Sequence, residues 1–243
     1  MKPLISYNRT VMRFSQYGVE PVEKQLVVFP HAGGSAAFYQ PWRERLSAKC
    51  DLLVVQYPNR EERHGEEPWQ GAEEAITACS HGLREVLGIA PITFFGHSMG
   101  ALLALQVAMT LWDSRFSCRR LVLSSQRVPA ELLMLQQYAS CQQLLDRILS
   151  YSEDTGIMHL DDLTRQIVAG HILQDLTLLG QLAELPVADI PLRIIGGEDD
   201  PLVGETEREG WSALVTECQQ SSWPGGHFYF QQDLDAFLSE LLQ

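Results

Sequence analysis

The sequence predicts an α/β domain with a mostly parallel central sheet, helices on both faces and a helical insertion late in the chain. Three observations point there. Short β-branched or aromatic runs recur and are nearly all apolar, as strands covered on both faces are. Helical stretches separate them, and strand–helix alternation calls for parallel strands joined by right-handed crossovers. From about residue 130 to 184 no convincing strand occurs, only helical spacing of apolar residues.

Taken in order, the strand runs are Leu26-Val27-Val28-Phe29, Leu52-Leu53-Val54-Val55, Ile92-Thr93-Phe94-Phe95, Leu121-Val122-Leu123 and Leu192-Arg193-Ile194-Ile195. Ser221-Ser222-Trp223 reads as a last strand. Helices are expected over residues 72–87 and 99–111. Within the insertion, Leu132, Leu133, Leu135 and Tyr138, then Leu144, Leu145 and Ile148, sit at helical spacing. Residues 151–156 read as a loop, and Ile167, Val168, Ile172, Leu173, Leu176 and Leu179 form a further stripe. The expected organisation is a single domain over residues 1–243, with a helical lid subdomain over about 130–185. Such a lid is placed to cap the sheet's carboxyl edge, where α/β folds bind ligands.

Bulk properties bound the function. A hydrophobic content of 45% and a charged content of 20% are those of an ordinary globular chain. A formal charge of −13 argues against nucleic acid and anionic membranes as partners. Five cysteines, an odd number with no metal or redox spacing, favour a reducing compartment. No segment reads as a secretion signal or a membrane span, so a cytoplasmic monomer is expected.

Gly96-His97-Ser98-Met99-Gly100 has the form G-x-S-x-G, a pattern that chance alone gives in about one such chain in ten. Its context carries more weight. A strand ends at Phe95 and a helix-forming run, Ala101-Leu102-Leu103-Ala104-Leu105, follows directly, as a nucleophile elbow requires. Ser98 is therefore the candidate nucleophile. A serine hydroxyl needs a neighbouring base, and imidazole suits the task near neutral pH. Of seven histidines, His227 is favoured because it follows the last strand and the flexible pair Gly225-Gly226. His64, His81, His159 and His171 read as surface or packing residues, and His31 and His97 as shaping ones. Three carboxylates, Glu198, Asp199 and Asp200, compete to orient the base; Asp200, fixed by Pro201 in extended geometry, is favoured and Asp199 is the fallback. The segment Pro30-His31-Ala32-Gly33-Gly34-Ser35 follows the first confident strand, so the backbone N–H groups of Ala32 and Met99 are the candidate oxyanion donors.

Together these motifs, with Gly196-Gly197-Glu198-Asp199-Asp200-Pro201 and Gly225-Gly226-His227-Phe228, resemble type II thioesterases. These are free-standing editing enzymes of polyketide and nonribosomal-peptide assembly lines, with the α/β-hydrolase fold. The resemblance implies hydrolysis of wrongly loaded acyl groups from the phosphopantetheine arm of an acyl or peptidyl carrier protein, without metal or cofactor. It also implies a mobile lid, a Ser98, Asp200 and His227 triad, and an oxyanion hole at Ala32 and Met99. Two departures bear on the substrate chamber: Asn59 stands where the family usually has glycine, and Leu173-Gln174-Asp175-Leu176 only partly matches an arginine–aspartate–phenylalanine run. Because carrier proteins are usually acidic, docking would need a local basic or apolar patch, for which Arg119, Arg120 and Arg127 are the candidates. The rival expectations are an oxygen-ester hydrolase or acyltransferase using the same triad, and a non-catalytic binding module.

Overall fold

The computed structural model of the chain describes residues 3–16, 21–111, 118–138, 140–150 and 161–243. Eight strands form one sheet: β1 (Pro3–Tyr7), β2 (Val11–Gln16), β3 (Lys24–Phe29), β4 (Cys50–Val55), β5 (Ile92–His97), β6 (Cys118–Ser124), β7 (Leu192–Gly197) and β8 (Cys218–Trp223). Their order is β1-β2-β4-β3-β5-β6-β7-β8. From β4 to β8 every pairing is parallel, whereas β1–β2 and β2–β4 are antiparallel. The helices are α1 (Ala36–Tyr39), α2 (Trp42–Arg45), α3 (Ala72–Val86), α4 (Met99–Leu111), α5 (Pro129–Tyr138), α6 (Cys141–Ser150), α7 (Asp162–Ala183), α8 (Glu205–Glu209) and α9 (Leu234–Leu241).

Strand neighbours point to opposite faces, and the core divides accordingly. Val27, Phe29, Leu53, Val55 and Phe94 join one cluster with side chains of α3, α4 and α7. Leu26, Val28, Leu52, Val54 and Phe95 join the other with Tyr39, Trp42 and Phe237. Both faces of the central strands are thus buried, which is why their sequences are continuously apolar.

The antiparallel hairpin β1–β2 adds two strands to those expected. Its signal is short and mixed: Arg13 and Ser15 interrupt the apolar residues of β2, and no Gly or Pro marks the turn. Asn8 and Arg9 make the turn instead, with Arg9 in the left-handed region at φ 75° and Asn8 Oδ1 accepting from the Val11 amide at 3.0 Å.

Between β6 and β7 the described residues form three helices, α5 to α7, and no strand. The loop expected at residues 151–156 lies outside the described residues. The first turns of α7 are largely exposed, while Ile172, Leu176, Leu178, Leu179 and Leu182 are buried against the core. No helix among the described residues is long and apolar enough to cross a membrane.

Of the three arginines expected to form a basic patch, Arg120 and Arg127 lie apart. Arg120 lies near the amino end of β6, in a cleft of about 380 Å³ with Pro191, Arg193 and Glu217. Arg127 follows the carboxyl end of the strand and donates to the Leu202 carbonyl. An extended strand rises about 3.3 Å per residue, so the two arginines sit at opposite edges of the sheet. The Arg119 side chain lies outside the described residues.

Candidate active site

Ser98 sits between β5 and α4 with φ 54°, a left-handed conformation that costs a non-glycine residue about 1–3 kcal/mol. Hydrogen bonds hold it there: its amide donates to the Ser124 carbonyl at 2.8 Å, and its carbonyl accepts from the Ala101 amide at 2.9 Å and from Gln126 Nε2 at 2.9 Å. The two glycines of the motif are required by close backbone approach. A Cβ on Gly96 would lie 2.3 Å from the Gly100 carbonyl oxygen, and one on Gly100 would lie 2.1 Å from that of Phe29. The second contact is the more telling, because it presses the start of α4 against the end of β3. Ser98 is partly exposed, and Met99 beside it is buried.

Asp200 and His227 meet after β7 and β8. His227 Nδ1 lies 2.8 Å from Asp200 Oδ2, and both residues are buried. Asp200 Oδ1 accepts from the amides of Leu202 at 2.9 Å and Val203 at 3.0 Å. Burial pushes the Asp200 carboxyl up, but the hydrogen bond and charge of His227 and the two amides outweigh it and hold the group below its ordinary value. Glycines again make the approach possible: a Cβ on Gly197 would lie 2.2 Å from the Gly226 carbonyl oxygen. The rival carboxylates Glu198 and Asp199 are exposed. His227 packs against His97 of the elbow, with ring centroids 4.8 Å apart.

The Pro30–Ser35 segment borders the same edge. His31 Nδ1 lies 3.1 Å from the Tyr39 hydroxyl, and Gly34 leaves room for the ring, since a Cβ there would come within 2.8 Å of it. Burial, helped by the nearby His227 and Arg60, lowers the His31 pKa to about 3. His97 is fully buried, with Nδ1 2.9 Å from Ser124 Oγ, which in turn lies 2.8 Å from the Tyr229 hydroxyl. Burial, then the charges of His227 and His31, place its pKa well below the ordinary histidine value. Both rings are neutral at pH 7.

The pairing of Arg60 with Asp175 is not visible in the sequence motifs. Arg60 Nη2 pairs with Asp175 Oδ2 at 2.6 Å, and both side chains are almost completely buried. A signal for Asp175 exists in retrospect: a carboxylate lies on the apolar face of α7, between Ile172 and Leu179, where a charge requires a partner. Gln126, which holds the Ser98 carbonyl and whose own carbonyl accepts from Trp211 Nε1 at 2.8 Å, has no such pattern. Among the described residues no group of acidic, His or Cys side chains is arranged to hold a metal ion.

The family model described as the thioesterase domain matches residues 24–243. The chain belongs to the thioesterase family. The "probable cadicidin biosynthesis thioesterase" of Streptomyces griseus is 30% identical over 233 residues, a match covering 90% of this chain and 62% of that protein. The chain thus spans less than two thirds of this relative's length. Among solved structures, the type II thioesterase BorB from the borrelidin biosynthetic cluster is 28% identical with a TM-score of 0.77, covering 98% of this chain and 99% of BorB. RedJ, a thioesterase from the prodiginine biosynthetic pathway in Streptomyces coelicolor, is 26% identical with a TM-score of 0.76, covering 93% and 90%. The fold is that of the α/β-hydrolase-like thioesterases.

In this thioesterase-family chain, the backbone at Asn59 shows why asparagine fits where the resemblance implies glycine. Asn59 has φ 61°, a conformation natural to glycine and, among other residues, best accepted by asparagine. Within α7, Asp175 is the residue that pairs with Arg60.

Proposed function

We propose that this chain is a type II thioesterase that removes aberrant or stalled acyl groups from the phosphopantetheine arm of carrier proteins in a polyketide or nonribosomal-peptide assembly line. The observation that carries the reading is the hydrogen bond between His227 Nδ1 and Asp200 Oδ2. A carboxylate kept ionised accepts only, so Nδ1 must carry the proton. In the neutral ring the lone pair then falls on Nε2. That nitrogen takes the Ser98 hydroxyl proton as Oγ attacks the thioester carbonyl. The N–H groups of Ala32 and Met99 receive the developing oxyanion. As the C–S bond breaks, the imidazolium returns its proton to the pantetheine thiolate. Water, deprotonated by His227, then releases the acid and regenerates Ser98.

The lid reading of residues 130–185, within one domain over 1–243, is supported by contacts that α6 and α7 make at the sheet's carboxyl edge. Arg147 donates to the Pro201 carbonyl at 3.1 Å, beside Asp200, and Asp175 accepts from the Gly33 amide at 2.7 Å. The reaction as drawn uses no metal or cofactor, and a cytoplasmic monomer serves it.

The test compares hydrolysis of acyl-pantetheine thioesters with that of matched oxygen esters, alongside fluorophosphonate labelling. Thioesters are expected to turn over faster, with Ser98→Ala losing at least about 10³-fold and all labelling, and Asp200→Asn losing about 10⁴-fold in kcat. Faster oxygen-ester turnover, or acyl transfer to an added amine, would replace this reading with the esterase or transferase. No labelling of the parent would point to a binding module.

A further inference from the structure

We infer that Arg60 and Asp175 are positioning residues for oxyanion binding, so that α7 helps to build the site it covers. The inference rests on the reading above, in which the Ala32 N–H is a donor. Ala32 lies in a loop whose backbone is gripped on both sides. Before it, the Pro30 carbonyl accepts from the Tyr57 hydroxyl at 2.7 Å. After it, the Gly33 amide donates to Asp175 Oδ2 at 2.7 Å, and the Gly34 carbonyl accepts from Arg60 Nη1 at 2.9 Å. The same guanidinium reaches Asp175 Oδ2 through Nη2 at 2.6 Å and lies 5.0 Å from the centre of the Tyr57 ring. One planar cation therefore ties three segments together: the loop, the stretch after β4, and α7. Gly33 completes the grip. Its φ is +78°, and a Cβ there would come within 2.6 Å of Ile172, one helical turn before Asp175.

Stability does not explain this arrangement. A buried ion pair is weakly stabilising at best, and apolar side chains of similar volume usually serve a core as well. An apolar pair, however, cannot orient peptide groups. Arg60 supplies a fork of donors and Asp175 an acceptor, and together they fix the carbonyl of Gly34 and the amide of Gly33. Oxyanion donors act by being aimed before charge develops, and losing one costs a factor of about 10²–10³. The pair thus acts on catalysis through the loop and touches no reacting atom.

The experiment measures kcat, KM and fluorophosphonate labelling rate for Asp175→Asn and Arg60→Lys on an acyl-pantetheine thioester, with Ser98→Ala as the inactive reference and thermal unfolding as the fold control. Asparagine removes the charge that holds Arg60, and lysine keeps the charge but lacks the planar fork whose two nitrogens reach the Gly34 carbonyl and Asp175 separately. Folded variants are expected to lose about 10- to 100-fold in kcat and in labelling rate. KM should stay within about threefold and the pH midpoint of the rate should not move, because the proton-transfer groups are untouched. A kcat within about threefold of the parent in either folded variant would overturn the inference. If Asp175→Asn fails to fold, the milder Arg60→Lys decides alone. An inactive parent, or an active Ser98→Ala, would instead remove the functional reading beneath it.

Discussion

Burial keeps the innermost of the clustered imidazoles neutral. His97 has no exposed surface and packs against Phe228 and Phe230, with ring centroids 5.0 Å away in each case. An imidazolium formed on His227 during turnover therefore faces a neutral ring 4.8 Å away rather than a second cation. This neutrality has a thermodynamic consequence. The unfolded chain protonates His97 below about pH 6.5, whereas the folded chain resists protonation until well below that. The unfolded state then binds more protons, so stability is complete above the ordinary histidine value and falls as pH drops beneath it. A denaturant series from pH 7 to pH 5 should show this decline, His97 contributing up to about 1.4 kcal/mol per pH unit. In His97→Gln the slope should be shallower by that amount; equal slopes would contradict the assignment. Single residues were legible in the sequence where their chemistry is local. Gly96, Ser98 and Gly100 stand out because a strand-to-helix turn imposes their spacing. The pairing of Arg60 with Asp175 does not, because 115 residues separate the two and only Asp175, on the apolar face of α7, hints by its place that it needs a partner.

At the level of elements, glycines show how differently one residue type can be constrained. Gly100 closes the contact between α4 and β3, and a methyl there would meet backbone, which cannot rotate away. Gly100→Ala should destabilise by about 3 kcal/mol or more, read as a fall in the denaturant midpoint. Gly170, within α7, has nothing within 4 Å of a built Cβ. Gly170→Ala should stabilise by about 0.4–1 kcal/mol in the same assay. The β3 to β8 strands were legible as apolar runs, except that β8 is polar at Gln219, Gln220 and Ser221 and declares itself chiefly by position. The β1–β2 hairpin was not, since pairing with β4 across the sheet, rather than its own pattern, defines it. The helical insertion was legible because three stripes share one period.

The whole molecule carries a charge of −13, which its proposed acidic partner would repel. Repulsion acts on encounter, and salt relieves it by shortening the screening length from about 30 Å at 0.01 M to about 8 Å at 0.15 M. Over that range kcat/KM for a carrier-bound substrate should rise by at least about threefold, while a free acyl-pantetheine thioester should show little change. A fall with salt would mean that opposite charges steer docking after all. Of Arg120 and Arg127, at opposite edges of the sheet, it is Arg127 that stands near the site end.

One feature of α4 reaches beyond the chemistry at its first turn. Its thirteen residues contain no charged side chain, and eleven of them are buried, covered by the sheet on one side and by α3 and α7 on the other. Any excursion that lifts this cover bares a rod that is apolar except for Gln106 and Thr110, the kind of surface that drives chains to aggregate and that chaperones retain. The acidic exterior then acts as a colloidal safeguard, keeping momentarily opened copies apart until they close again.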